Sequence, residues 1–98
     1  MAIIDAIGEP ALLEHVAEEC TELAQACLKL ARVERGENPT PYTEGECQHA
    51  VIEEWADLQV MLWELEDANW IDRELFKLYA EDKTKRMHDR IRAMDKSL

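Results

Sequence analysis

Two short acidic stretches hold the residues best suited to chemistry: Glu18-Glu19-Cys20-Thr21-Glu22 and Glu53-Glu54-Trp55-Ala56-Asp57. On an α-helix, residues i and i+3 lie on one face about one turn apart. Glu19 with Glu22, and Glu54 with Asp57, therefore each make a two-toothed acidic comb. If the two helices pack side by side, four carboxylates converge on one small volume. Like charges at that range repel unless a cation lies between them. Oxygen ligands of this hardness suit Mg2+, with Mn2+ as a possible substitute.

The acids do not simply decorate the solvent face. In the first segment the apolar arc holds Leu12, Leu13, Val16, Cys20, Leu23, Cys27 and Leu30. Glu18 falls nearly opposite that arc, whereas Glu19 encroaches on it, along a stripe with His15, Glu22 and Ala26. In the second segment the arc runs through Val51, Trp55, Leu58, Leu62 and Leu65. Glu53 points outward, and Glu54 lies beside the arc on the stripe Ala50, Glu54, Asp57, Met61. A carboxylate half inside an apolar face is costly unless it is paired or bound to metal. That anomaly occurs twice.

The elements that would position these acids are helices. Residues 1–98 read as one all-α domain: a helical hairpin plus a third helix. Residues 1–9 form a short leader, packing through Ile3, Ile4 and Ile7. Pro10 suits the first turn of a helix that runs to about Arg35 and stops at Gly36. Residues 36–43 form a loop, since two prolines and the residues before them disfavour helix. Thr43 and Glu46 have the spacing of a capping box, opening a second helix to about Ala68. After a turn at Asn69-Trp70-Ile71, Asp72 caps a third helix to about Met94. At 1.5 Å per residue, Glu22 and Glu19 lie roughly 20 and 24 Å from the end of the first helix. Glu54 and Asp57 lie roughly 15 and 20 Å into the second, so an antiparallel hairpin brings the pairs within about one turn of each other.

Composition agrees with helices and narrows the partners. The chain of 98 residues is 47% hydrophobic but only 6% aromatic, with 3 Gly and 3 Pro, which favours helix over sheet. Its net charge of −11 argues against binding nucleic acid, which needs bases to neutralise phosphates, and against anionic membranes. The 3 Cys lack zinc-type spacing: Cys20 and Cys27 read as small core residues, and Cys47 with His49 is too sparse for a metal motif. Reduced thiols and the lack of a basic-plus-apolar leader predict a cytoplasmic protein. A three-helix chain of this size buries a modest core, and the stripe Trp55, Leu58, Leu62, Leu65 is longer than it can cover, so self-association is expected.

The third helix concentrates Lys83, Lys85, Arg86 and Arg90 in its second half. This charge either complements the helix dipole in a salt-bridged surface or makes a basic wall that grips phosphate oxygens. His15, four residues before Glu19, is either a polar flank or an added ligand in a single-metal structural bundle.

Glu19-x-x-Glu22 followed by Glu54-x-x-Asp57 resembles the ExxE…ExxD signature of the all-α nucleoside triphosphate pyrophosphatases, and particularly small MazG-like proteins. The likeness extends through Glu18–Ala26, through Asn38-Pro39-Thr40-Pro41, through Ile52–Asp57 and to Lys83-x-Lys85-Arg86, covering about residues 10–92. A basic residue that some members carry one turn before the second motif is Ala50 here. The resemblance implies magnesium-dependent hydrolysis of a nucleoside triphosphate to the monophosphate and pyrophosphate. It implies Glu19, Glu22, Glu54 and Asp57 as metal ligands, Lys83 and Arg86 as phosphate contacts, and a homodimer or homotetramer with a four-helix-bundle core; by general phosphoryl chemistry, Glu19 or Glu22 would also draw a proton from water. The competing class is a non-enzymatic acidic helical adaptor whose stripes pair with a partner.

Overall fold

The computed structural model describes residues 3–37 and 41–97, and among them the chain is helical throughout, with no strand. Four helices follow in order: α1 (Ile3–Ile7), α2 (Glu9–Arg35), α3 (Glu44–Asp67) and α4 (Arg73–Ser97). The leader thus forms a turn of helix of its own. Gly8, at φ 83° and ψ 162°, breaks α1 from α2 in a conformation that favours glycine, and Pro10 stands in the first turn of α2.

The hairpin follows from its caps. Gly36 adopts a left-handed φ of 70°, and the N–H groups of Gly36 and Glu37 bond the carbonyls of Val33 and Arg32 at 3.1 and 2.9 Å. These bonds satisfy carbonyls that the helix end leaves open. Across the loop, the Glu46 N–H donates to Thr43 Oγ1 at 3.1 Å and the Thr43 N–H to Glu46 Oε1 at 3.0 Å, completing the capping box. Thr43 also draws the Glu46 carboxyl below its ordinary range, through the backbone hydrogen bond first and the side-chain one second. The expected loop at 36–43 is present at Gly36, Glu37 and residues 41–43; residues 38–40, including the Asn38-Pro39-Thr40 part of the resemblance, lie outside the described residues. So short a connection between helices roughly 40 and 36 Å long makes them antiparallel neighbours. α1 packs across both long helices, and the Ile3 N–H donates to Glu64 at 3.3 Å.

Leu12, Cys47 and Leu65 are buried. Between them the helices meet along half-buried positions: Val16, Glu19, Leu23, Ala26 and Leu30 on α2, and Ala50, Val51, Glu54, Leu58 and Met61 on α3. This seam is rotated from the apolar arcs read in the sequence. Leu13, Cys20 and Cys27 are exposed on α2, and Trp55 is 59% exposed on α3. The thiol in the core is Cys47 rather than Cys20 or Cys27. The reason is geometric: each apolar arc is wider than one helix–helix contact, and a single hairpin covers only the strip that includes the two glutamates.

The third long helix departs most from expectation. At the α3–α4 corner Asn69 takes a positive φ of 64°, and the Trp70 N–H bonds the Leu65 carbonyl at 2.9 Å. Asp72 Oδ1 accepts from the Leu75 N–H at 3.1 Å, as a capping residue should. Arg73 grips Glu66 with both arms of its guanidinium, Nε to Oε1 at 2.7 Å and Nη2 to Oε2. This hydrogen-bonded pairing, with its charge attraction, holds the Glu66 carboxyl below its ordinary range. From this corner α4 runs to Ser97, past the expected end at Met94, and packs along neither α2 nor α3. The Cα radius of gyration is accordingly 17.6 Å, against roughly 13 Å for a compact chain of this length.

The rotated seam has a chemical signature. A thiol reagent should modify Cys20 and Cys27 in the folded protein, while Cys47 reacts only on unfolding. Equal reaction rates for all three would contradict the burial of Cys47.

Candidate functional site

The two acidic motifs come together at mid-hairpin. Glu19, Glu22 and Glu54 each offer a carboxylate oxygen within 4.8 Å of the others. Among the described residues this is the one such group of potential metal-ligating side chains. The fourth acid, Asp57, stands outside this trio and is exposed, yet its charge still acts on both Glu19 and Glu54. The seam between α2 and α3 therefore also carries carboxylates into a partly dehydrated space. Glu19 shows how far in they sit, with a side chain only 12% exposed.

Both half-buried glutamates are held above the ordinary carboxylate range. For Glu19 the largest cause is burial, followed by the charges of Glu22 and Asp57; nearby His15 opposes the shift. For Glu54 burial again comes first, then a hydrogen bond shared with Glu22 and the charges of Glu22, Asp57 and Glu19. These are the effects expected when acids are confined together away from water. His15 Nδ1 lies 3.5 Å from Glu19 Oε1, so this histidine flanks the acids rather than standing apart from them. It meets only one of the two oxygens. Glu19 Oε2 and Glu54 Oε2 are buried with no hydrogen-bond partner. Buried polar atoms are ordinarily satisfied, and an unsatisfied carboxylate oxygen is costly. Two such oxygens in one trio of acids are what a hard divalent cation would satisfy, since Mg2+ takes oxygen ligands in a tight octahedron. The donor set fits such an ion.

The neighbouring acids serve as internal controls. Glu53, one residue from Glu54, is exposed and pairs with His49 at 2.9 Å; Glu18 is exposed as well. Their outward placement matches the helical phase read from the sequence. The basic residues do not join the site. No α4 side chain contributes to the electrostatic environment that shifts Glu19 or Glu54. Arg86 instead binds Asp82 within α4 at 2.7 Å, and Lys83 follows the same detached helix. Within one chain, Lys83 and Arg86 thus ride on a helix that packs along neither of the acidic helices. The unsatisfied oxygens and the exclusion of Asp57 from the trio were beyond sequence reasoning, because both depend on side-chain rotamers at the seam.

A pH dependence follows. The raised acids bind protons in the folded chain that the unfolded chain has already released, so they stabilise the fold at mildly acidic pH and cost stability above it. In chelator, the melting temperature should fall as pH rises from about 5 to about 7. Glu46 and Glu66, held low, act oppositely and withdraw stability below about pH 4. Excess Mg2+ should abolish or reverse the fall near neutrality by binding the ionised cluster. Thermal melts at several pH values would check this, and identical slopes with Mg2+ and with chelator would exclude cation binding at these acids.

No family model, curated protein or solved structure matches the chain. The chemistry of the site is therefore read from its own geometry.

Proposed function

We propose that the protein is a MazG-like pyrophosphohydrolase that cleaves a nucleoside triphosphate to the monophosphate and pyrophosphate with Mg2+, or Mn2+ in its place. The observation that carries this reading is the pair of buried, unpartnered oxygens on Glu19 and Glu54, set against Glu22 in a trio of acids. A solvated acidic face or an adaptor stripe would have no use for carboxylates turned into the seam. Glu19, Glu22 and Glu54 would hold the cation, with Asp57 contributing charge from the rim. A bound divalent cation would screen the triphosphate and acidify water.

The chain's own groups supply the rest. Glu19 and Glu22 are the acids proposed to accept the proton lost by the attacking water. Glu19 suits this, because a base works best with a pKa moved toward the working pH, and burial first, then the charges of Glu22 and Asp57, push its carboxyl upward. Glu54, sharing a hydrogen bond with Glu22, would fix the orientation of that carboxylate. The apolar seam around them would limit water to the face where His15 and Asp57 open to solvent. Lys83 and Arg86 are proposed as phosphate contacts. Since α4 of the same chain does not reach the acids, they would have to act from a second copy of the chain in a homo-oligomer. No described helix is long and apolar enough to cross a membrane. The proposed setting is cytoplasmic.

The test compares two neighbouring acids. Glu54→Gln keeps shape and hydrogen-bonding capacity but removes one charge from the trio, whereas Glu53→Gln changes a solvent-facing acid. After a screen identifies a nucleoside triphosphate from which the protein releases pyrophosphate with Mg2+, Glu54→Gln should lower that rate by at least about a hundredfold. Glu53→Gln should remain near the unmodified rate. Equal rates for the two variants, or no pyrophosphate from any nucleoside triphosphate, would overturn the reading.

A further inference from the structure

The groove that carries the acids continues past them toward the loop between α2 and α3. One bank is a stripe of α2 formed by His15, Glu22 and Lys29, all exposed. Their spacing of seven residues keeps them on nearly one side of the helix. The other bank is Asp57, Glu53 and Ala50 of α3. The two ends of this groove differ. Toward α1 it stops at Leu12 and Leu65, both buried. Toward the loop it opens into a cavity of about 540 Å³, whose walls include Lys29, Tyr42, Cys47, His49, Ala50 and Glu53. Ala50 lies one turn before Glu54, roughly 6 Å along α3, and Lys29 lies two turns past Glu22, roughly 10 Å along α2. The cavity and the acids are therefore neighbours on one face of the hairpin.

The chemistry of the cavity is unlike that of the acids. Lys29 is the one Lys or Arg among its lining residues, in a stretch, residues 1–72, that holds three such bases against seventeen acids. Its Nζ lies 4.6 Å from the centroid of the Tyr42 ring, and among the described residues no carboxylate pairs with it. The acids beside it are engaged elsewhere. Glu53 meets His49 at 2.9 Å, and Glu46 closes the capping box with Thr43. An aromatic ring and an ammonium with three donors and no acceptor thus border one cavity, a turn or two from the acids.

We propose that this cavity seats the nucleoside end of the triphosphate, the base lying against Tyr42 and the Lys29 ammonium donating to a carbonyl oxygen of that base. The assignment rests on the reading of Glu19, Glu22 and Glu54 as the cation site for the phosphates. It gives the substrate a direction along the hairpin, phosphates at mid-groove and nucleoside toward the loop, because the buried leucines stop the groove at its other end. It also gives a preference. An all-donor group favours bases that carry a carbonyl oxygen, such as uracil, over adenine, whose exocyclic group is itself a donor. The larger cleft between α3 and α4, about 740 Å³ and walled in part by Trp55, Trp63 and Phe76, does not serve this end. Its α3 wall is centred roughly 150° around the helix from Glu54, so the body of α3 stands between that cleft and the acids.

Calorimetric binding to the full chain with Mg2+ tests the assignment without any turnover. The probes are uridine and adenosine triphosphates with a methylene group bridging the α and β phosphorus atoms, and inorganic triphosphate, which has no nucleoside. Tyr42→Ala and Lys29→Met should each weaken the uridine analogue by about tenfold or more and leave inorganic triphosphate unchanged. Tyr42→Phe, which keeps the ring, should bind as the unmodified protein does. The uridine analogue should bind more tightly than the adenosine one, and Lys29→Met should narrow that gap. Both side chains are exposed, so the variants should keep the helical circular dichroism of the unmodified chain. Undiminished analogue binding in both variants would overturn the nucleoside seat and leave the cation site standing. Equal weakening of the analogue and of inorganic triphosphate would also overturn it, by moving Lys29 to the phosphates. An unmodified protein that binds the analogues no better with Mg2+ than with chelator would overturn the cation site and the seat together.

Discussion

Confinement of like charges at a helix–helix seam is the constraint on which the structure turns. Glu19 and Glu54 occupy positions that an ordinary hairpin would give to leucine or alanine. There the carboxylates lose water, face Glu22, and leave Glu19 Oε2 and Glu54 Oε2 without partners. The cost has two parts: desolvation of the charged form and mutual repulsion. A proton or a cation relieves both. The same seam must still be held closed, and the elements that close it lie at its two ends. Leu12 and Leu65 are buried toward one end and Cys47 toward the other, with the Thr43–Glu46 capping box setting the start of α3. The acids sit between these anchors.

Such an arrangement separates the residues that close the seam from the acids that strain it. The buried residues keep the hairpin together, and the middle is free to carry groups that the hairpin alone would disfavour. Functional sites commonly concentrate such local costs. His15 moderates the charge at Glu19 Oε1 without satisfying the inner oxygen. Glu53 and His49 form their own exposed pair outside the cluster. Two acids separated by one position in sequence therefore belong to different chemical environments, because 100° of helical rotation takes a side chain from the seam to the solvent.

The α3–α4 corner imposes a second constraint. Asn69, the Asp72 cap and the Arg73–Glu66 pairing send α4 away from the hairpin, so its charges stay apart from the acids and its apolar residues stay wet. A helix of 25 residues gains little stability from propensity alone and depends on burying one face. The acidic body and the basic arm are thus complementary, but not within one chain. Any contact of Lys83 or Arg86 with the acids would therefore depend on where a second copy sets its α4.

The sequence by itself determined the helices, their stops and the phase of the acids. Gly36 could end α2 because glycine tolerates the left-handed turn, Thr43 and Glu46 could cap α3 because their spacing closes two hydrogen bonds, and Asp72 could open α4. The three-residue spacing placed Glu19 with Glu22, and Glu54 toward the apolar side, whereas Glu18 and Glu53 faced outward. These are local properties, fixed by backbone geometry over one or two turns. Tertiary structure decided which strip of each broad apolar arc became the seam, and so put Cys47 inside and left Leu13, Cys20, Cys27 and Trp55 exposed. It also decided that three acids close on one another while Asp57 stays at the rim, and that α4 carries Lys83 and Arg86 away. Those outcomes depend on how whole helices choose among several apolar faces and on the angle of one corner, and no periodicity within a single helix encodes either.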